Sequence, residues 1–174
     1  MKTLYLIRHG TVLNPDKVVY RRLPGFILSE QGHTEAGETR DFLAGEPPEI
    51  IWHSPLERAV QTANIVNEPH SAPMAEDLRI HEWDEGEDTD EVLERMWSFL
   101  ESWRTTQYEA SAAVSHRDPI RRLLFALRDR DAPPMMDDLE HFPLPQGGVY
   151  RITEEHGALR FQLAFVPSPN PQPA

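Results

Sequence analysis

The chain has 174 residues, 39% hydrophobic and 26% charged, which fits one globular domain able to bury a sizeable core. It contains no cysteine, so disulfides, zinc–thiolate sites and cysteine nucleophiles are excluded, and no apolar run approaches the roughly 18 residues of a membrane span. Twenty-nine acidic residues against seventeen basic ones give a formal charge of −12, a surface that repels nucleic acid and anionic lipid. An anionic substrate would therefore need a local cluster of arginines to reverse the sign.

The first element is a continuous apolar run, Thr3 to Ile7, ending in Arg8-His9-Gly10, which reads as a buried central strand giving way to a loop. No leader of charged and then apolar residues precedes it, and the cytoplasm is the expected location. Ser29 opens a helix-compatible stretch that runs to about Ala44 and stops at Gly45 and Pro47-Pro48. Glu49 to Trp52 is a second short strand, and Ser54-Pro55 reads as cap and first residue of a helix with Ala59, Ala63 and Val66 on one face. Residues 68–86 are rich in Pro, Asp, Glu and His and read as a loop. From Thr89 an acidic first turn leads into Val92, Met96, Phe99, Leu100 and Trp103, spaced for an amphipathic helix.

Ala110 to Ser115 is a third strand, followed by His116 and a helix carrying Ile120, Leu123, Leu124 and Leu127. Val149–Thr153 and Leu159–Phe165 flank a turn at Glu154-Glu155-His156-Gly157 and form a hairpin. The alternation predicts an α/β fold, three layers with a mostly parallel central sheet and a C-terminal hairpin. Residues 1–165 are expected to form a single catalytic domain. Residues 166–174, with proline at nearly every second position, are expected to be an unpacked tail.

Polar groups recur just past predicted strand ends: Arg8-His9, then Arg58 one turn into the next helix, then His116. In open α/β sheets ligands bind beyond the carboxyl ends of the strands, so these groups can converge on one crevice. Together they resemble the histidine phosphatase superfamily, the phosphoglycerate-mutase-like proteins. Leu6-Ile7-Arg8-His9-Gly10 is similar to that family's Arg-His-Gly hallmark. Ser54-Pro55-Leu56-Glu57-Arg58-Ala59-Val60-Gln61-Thr62-Ala63 is similar to its second signature, Leu28-Ser29-Glu30-Gln31-Gly32 to its helix start, and Val114-Ser115-His116 to its second-histidine strand. The resemblance runs in order from residue 4 to about residue 152. It implies a phosphate pocket of Arg8, His9, Arg58 and His116, with Glu82 of Ile80-His81-Glu82-Trp83-Asp84-Glu85-Gly86 as general acid and Asp84 and Glu85 as rivals.

Three departures from the family pattern stand out. Val12 and Pro15 occupy positions where the family has Thr or Ser and Asn, which leaves Asn14 as the nearest phosphate contact. Arg117-Asp118 replaces a Gly-Gly pair after the second histidine, so Arg117 could touch substrate. Arg21 and Arg22, in the loop through which the family contacts its substrate, could bind a second anionic group.

The chemistry of these residue types is consistent with the resemblance. A phosphate monoester needs its charge neutralised, a nucleophile in line and a proton for the departing oxygen. Arg8 and Arg58 supply planar charged forks, His9 a neutral imidazole nitrogen provided its other nitrogen donates to a carbonyl, and His116 a further donor. Neighbouring carboxylates raise one another's pKa and help keep the acid protonated. The expected function is hydrolysis of a small phosphorylated metabolite through a phosphohistidine. A phosphoglycerate-type mutase and a catalytically silent phospho-ligand binder are the alternatives. No cofactor and no metal is expected, since His33, His53, His70, His81, His141 and His156 lack metal-site spacing. Substrate identity and oligomeric state are left open, and of the tryptophans only Trp83 falls in the acid loop.

Overall fold

A computed structural model describes residues 1–128 and 142–169. The run Thr3 to Ile7 is buried residue after residue within β1 (Lys2–Arg8). Its alternating side chains explain why: Leu4 and Leu6 enter one apolar cluster, Tyr5 and Ile7 another on the opposite face. A strand covered on both faces has to be continuously apolar, and layers of helix must lie on each side.

The remaining elements follow as α1 (Glu30–Leu43), β2 (Ile51–His53), α2 (Glu57–Asn67), β3 (Met74–Glu76), α3 (Thr89–Arg104), β4 (Ala110–Ser115), α4 (Arg117–Arg128), β5 (Val149–Glu155) and β6 (Ala158–Phe165). The sheet order is β3-β2-β4-β1-β5-β6. The first four strands in that order are parallel, and β5 and β6 run antiparallel at the other edge. Met96, Phe99, Leu100 and Trp103 of α3 pack with Ile120, Leu123 and Leu124 of α4 against Leu4 and Leu6. Each such side chain contributes about 1.5–3 kcal/mol by leaving water. Leu43 of α1 and Ala59, Ala63 and Val66 of α2 cover the Tyr5 and Ile7 face. The fold is the expected three-layer α/β arrangement with its terminal hairpin.

Helix starts follow the sequence chemistry at two places. Ser29 caps α1 by accepting the Gly32 N–H at 3.1 Å. Asp88 caps α3 in a reciprocal box with Glu91: Asp88 Oδ1 accepts the Glu91 N–H and Glu91 Oε2 accepts the Asp88 N–H, both at 2.9 Å.

Elsewhere the structure corrects the reading. Ser54 does not cap α2; Leu56 holds the cap position without a side-chain bond, and Ser54 is buried with its hydroxyl 2.7 Å from His116 Nε2. Residues 68–86 are not all loop. They hold β3, which pairs with β2, and a 3₁₀ turn at Leu78–Ile80 whose Ile80 is fully buried. Residues 166–169 do not fit the expected unpacked tail, because Pro167 is buried and the Ser168 N–H donates to Glu38 Oε2 at 2.6 Å. Residues 170–174, with His141, lie outside the described residues. Among the described residues no helix is long and apolar enough to cross a membrane.

Two parallel neighbours at the sheet centre position the site. β1 and β4 pair in register so that Arg8 lies opposite Ser115, and His9 and His116 leave adjacent strands side by side.

Candidate active site

The loop after β1 lies directly on the first turn of α1, and only glycine permits it. A Cβ on Gly32 would stand 2.1 Å from the Thr11 carbonyl oxygen, and one on Gly10 would stand 2.5 Å from that of Gly32. Backbone and buried side chains then fix the loop: the His9 N–H donates to Ser115 O at 3.1 Å and the Gly10 N–H to Thr62 Oγ1 at 3.1 Å. Glu35 of α1 accepts both the Thr11 N–H at 2.7 Å and its hydroxyl at 2.9 Å.

The His9 ring is buried with Nδ1 2.7 Å from the Gly10 carbonyl. A carbonyl only accepts, so Nδ1 carries the proton and Nε2 keeps its lone pair. Burial first, then the charges of Arg58 and Arg8, push the His9 pKa down to about 3, and the imidazole is neutral at physiological pH. His116 lies beside it with ring centroids 5.1 Å apart. Burial and the neighbouring His9 and Arg58 hold its pKa well below the usual histidine range. Its Nδ1 has no hydrogen bond and stands 3.6 Å from Glu82 Oε2.

Arg8 and Arg58 are each only partly committed. Arg8 Nη1 donates to Leu144 O at 2.7 Å while Nε has no partner, and burial lowers its pKa to about 10. Arg58 has no exposed surface. Its Nη2 donates to Arg21 O at 2.5 Å and its guanidinium lies 4.7 Å over the Tyr20 ring, while Nε and Nη1 are unpartnered.

Glu82 faces this group from the loop before α3. Its Oε1 accepts the Trp83 N–H at 2.8 Å. Burial raises its pKa to about 7, against the opposing pull of that N–H and of Arg58 and Arg8. Arg22 and Arg95 hold the loop by donating to the Glu82 and His81 carbonyls and by pairing with Glu87, at 2.6 Å and 2.9 Å respectively. Asp84 and Glu85 are exposed and turn toward Arg22 and Arg21, so Glu82 alone of the three carboxylates lines the cavity.

That cavity has a volume of about 300 Å³, and Arg8, His9, Tyr20, Arg21, Glu82 and Arg117 are among the residues around it. Arg58 and His116 are fully buried against two of its lining residues, Arg58 over the Tyr20 ring and His116 beside His9. Arg21 lines the cavity, with its backbone in the left-handed region (φ 35°) and its guanidinium stacked 4.2 Å over Trp83. Asn14 does not. Its side-chain amide both donates to and accepts from the backbone of Val18, at 2.9 Å each, and so closes its own loop. Sequence reasoning also set aside His81, whose Nδ1 accepts the Glu82 N–H at 2.7 Å, and gave Ser54 a capping role; adjacency to Glu82 was the one signal for the former.

One donor atom from each of His9, Glu82 and His116 lies within 4.8 Å of the others, a spacing that could bracket a metal ion. Two permanent cations beside them, Arg8 and Arg58, make the same space unfavourable for a dication and favourable for an anion.

The sequence model of the histidine phosphatase superfamily (branch 1) matches residues 4–88 and 82–166. The chain belongs to this superfamily. Solved histidine phosphatase-fold structures agree over nearly the whole length. Bacillus stearothermophilus YhfR has a TM-score of 0.80 at 22% identity, covering 94% of this chain and 96% of that one. The mycobacterial glucosyl-3-phosphoglycerate phosphatase Rv2419c, in complex with VO3, has a TM-score of 0.78 at 18% identity, covering 97% and 100%. The alpha-ribazole phosphatase of Shigella flexneri has a TM-score of 0.75 at 21% identity, covering 92% and 95%. By sequence the chain is 38% identical over 74 residues to the uncharacterized protein Rv0525 of Mycobacterium tuberculosis, a match that spans 42% of this chain and 37% of that relative.

Proposed function

We propose that the chain is a phosphatase that hydrolyses the phosphate monoester of a small metabolite through a phosphohistidine at His9, without a metal. The observation that carries this reading is the set of buried polar atoms left unpartnered around His9: Arg8 Nε, Arg58 Nε and Nη1, and His116 Nδ1. An unsatisfied buried donor costs about 1–3 kcal/mol, and a phosphoryl group offers three oxygens to satisfy several at once. With the Ser54 hydroxyl as donor to His116 Nε2 in this reading, the His116 proton is on Nδ1.

In the first step His9 Nε2 attacks phosphorus while the bond to the leaving oxygen breaks, and Glu82 gives that oxygen its proton. Arg8, Arg58 and His116 hold the three equatorial oxygens, where charge is spread in the transition state. In the second step water attacks the phosphohistidine, Glu82 takes the water's proton, and the phosphorus–nitrogen bond breaks to return neutral His9. A carboxyl pKa near 7 suits both directions of that proton transfer. Hydrolysis rather than return to another hydroxyl is supported by fold relatives that are named as phosphatases.

Phosphate release from phenyl phosphate by the wild type and by His9→Ala tests the reading, together with rapid-quench mass spectrometry. The substitution should lower turnover at least about 10⁴-fold, and the wild type should carry an acid-labile phosphate on His9. Chelators should leave the rate unchanged. Near-normal turnover by the variant would remove His9 as nucleophile, and chelator inhibition reversed by a divalent ion would assign His9, Glu82 and His116 to a metal instead.

A further inference from the structure

A second cavity, of about 410 Å³, adjoins the first, and Trp83, Arg117 and Asp118 border both. They form a shared partition. The second space is otherwise enclosed by the start of α3 and one face of α4, with Val92 and Phe125 as its apolar wall. Trp83 of the partition directly follows Glu82, the residue proposed to protonate the departing oxygen.

Its charge balance is not the acidic balance of the chain as a whole. Glu87, Asp88 and Asp118 border it, but each carboxylate is already committed. Glu87 pairs with Arg22 and Arg95, Asp88 caps α3, and Asp118 accepts from Arg117 Nε at 2.9 Å. On the basic side, Arg121 donates from Nε to the Phe142 carbonyl at 3.1 Å, its one hydrogen bond among the described residues. Arg122 has neither a hydrogen bond nor an ion pair among the described residues. Among the described residues, two guanidiniums therefore present donors over an apolar floor. The arginines of the Tyr20 loop do not line this space: Arg22 is spent on Glu87, and Arg21, stacked on Trp83 with Nε and Nη1 free of hydrogen bonds, faces the first cavity.

Resting on the phosphatase reading, we infer that this second cavity selects the leaving group, taking one with an apolar or aromatic body and a second anionic group. The phosphate occupies the first cavity, the body lies along Trp83, Val92 and Phe125, and the second anion meets Arg121 and Arg122. The sequence fits this division of labour: the Arg117-Asp118 pair stands at the partition, and Arg121 and Arg122 follow one turn later on the same helix.

Three aryl phosphates separate the contributions: phenyl phosphate, 6-carboxamido-2-naphthyl phosphate and 6-carboxy-2-naphthyl phosphate. Wild-type kcat/KM should rise from the first to the second, and by about a further tenfold from the neutral amide to the carboxylate. The two naphthyl compounds have nearly the same size, so their ratio reads the charge contact. Arg122→Gln should bring that ratio to about one, Arg122→Glu below one, and Arg122→Lys should keep most of it. Wild-type hydrolysis of phenyl phosphate with no preference for either naphthyl compound would overturn the second cavity while leaving the phosphatase intact. A carboxylate preference unchanged in Arg122→Gln and Arg122→Glu would overturn the assignment of the anion to this helix. No hydrolysis of any of the three would instead strike at the phosphatase reading itself.

Discussion

The loop that carries His9 and the loop that carries Glu82 face one cavity from opposite sides, yet different forces hold them. Around His9 the restraint is backbone against backbone: Gly10 and Gly32 touch where no Cβ fits, and the neighbouring N–H groups are bound by buried Thr62 and Glu35. Around Glu82 the restraint is ionic, with Arg22 and Arg95 reaching from outside to carbonyls of the loop and to Glu87. Packing of this kind is insensitive to salt and intolerant of added volume. Partly exposed ion pairs are screened by salt and individually weak. His9 is thus set rigidly, while Glu82 sits in a loop whose position depends on charge.

The largest effect that bears on this contrast is expected at the acid. Glu82→Gln should slow hydrolysis of an alkyl phosphate by roughly 10²- to 10⁴-fold, the usual contribution of a general acid, and p-nitrophenyl phosphate much less, since its leaving group hardly needs a proton. With the Glu82 pKa near 7, the protonated acid is depleted as pH rises through 7. The wild-type rate on an alkyl phosphate should therefore fall on that side, and a pH profile of Glu82→Gln should lack the limb. Asp84→Asn and Glu85→Gln, changes to exposed groups, should show neither selectivity nor loss of the limb. If either does, the proton comes from that residue.

Next in size is Gly32→Ala, which forces a Cβ into the Thr11 backbone. It should destabilise the fold by about 2–3 kcal/mol, read as a lower urea midpoint, and slow alkyl and aryl substrates alike because the nucleophile moves. Gly45→Ala, where the added atom meets open space, is the control and should leave both measurements unchanged. A Gly32 variant of ordinary stability would mean that the two backbones do not touch.

The smallest effect is expected from loosening the ionic side. Glu87→Gln weakens the pairing to both Arg22 and Arg95 and should cost at most about 1 kcal/mol in stability. It should still slow alkyl phosphates by several-fold while sparing p-nitrophenyl phosphate, because only the acid is misplaced. Raising the salt concentration should narrow the gap between variant and wild type. Equal loss on both substrates would show that the loop shapes the whole pocket.

How much of this was legible in the sequence differs from element to element. The run from Thr3 to Ile7 declared a buried central strand because no charged side chain interrupts it, and the α3 pattern declared a helix by its spacing and its acidic first turn. Residues 68–86 misled because β3 has only three residues and takes its stability from pairing with β2, a contact remote in sequence. Ser54 misled for a related reason. Serine before proline fits a cap, and nothing local shows that His116, sixty-two positions away, takes the hydroxyl. Asn14 stood at a plausible spacing, but its amide is satisfied by Val18 within its own loop.

By itself the sequence determined the order of strands and helices, the residue types at the strand ends, and the need for local arginines in a chain of charge −12. Periodicity and the chemistry of single side chains are local properties, and they survive in a linear string. Only the tertiary structure decided that Glu82 rather than Asp84 or Glu85 faces His9, that the Arg8, Arg58 and His116 donors are left unpartnered, and that a second cavity opens beside the first. Those outcomes depend on burial and on which distant groups satisfy one another, and both are settled only when the chain closes on itself.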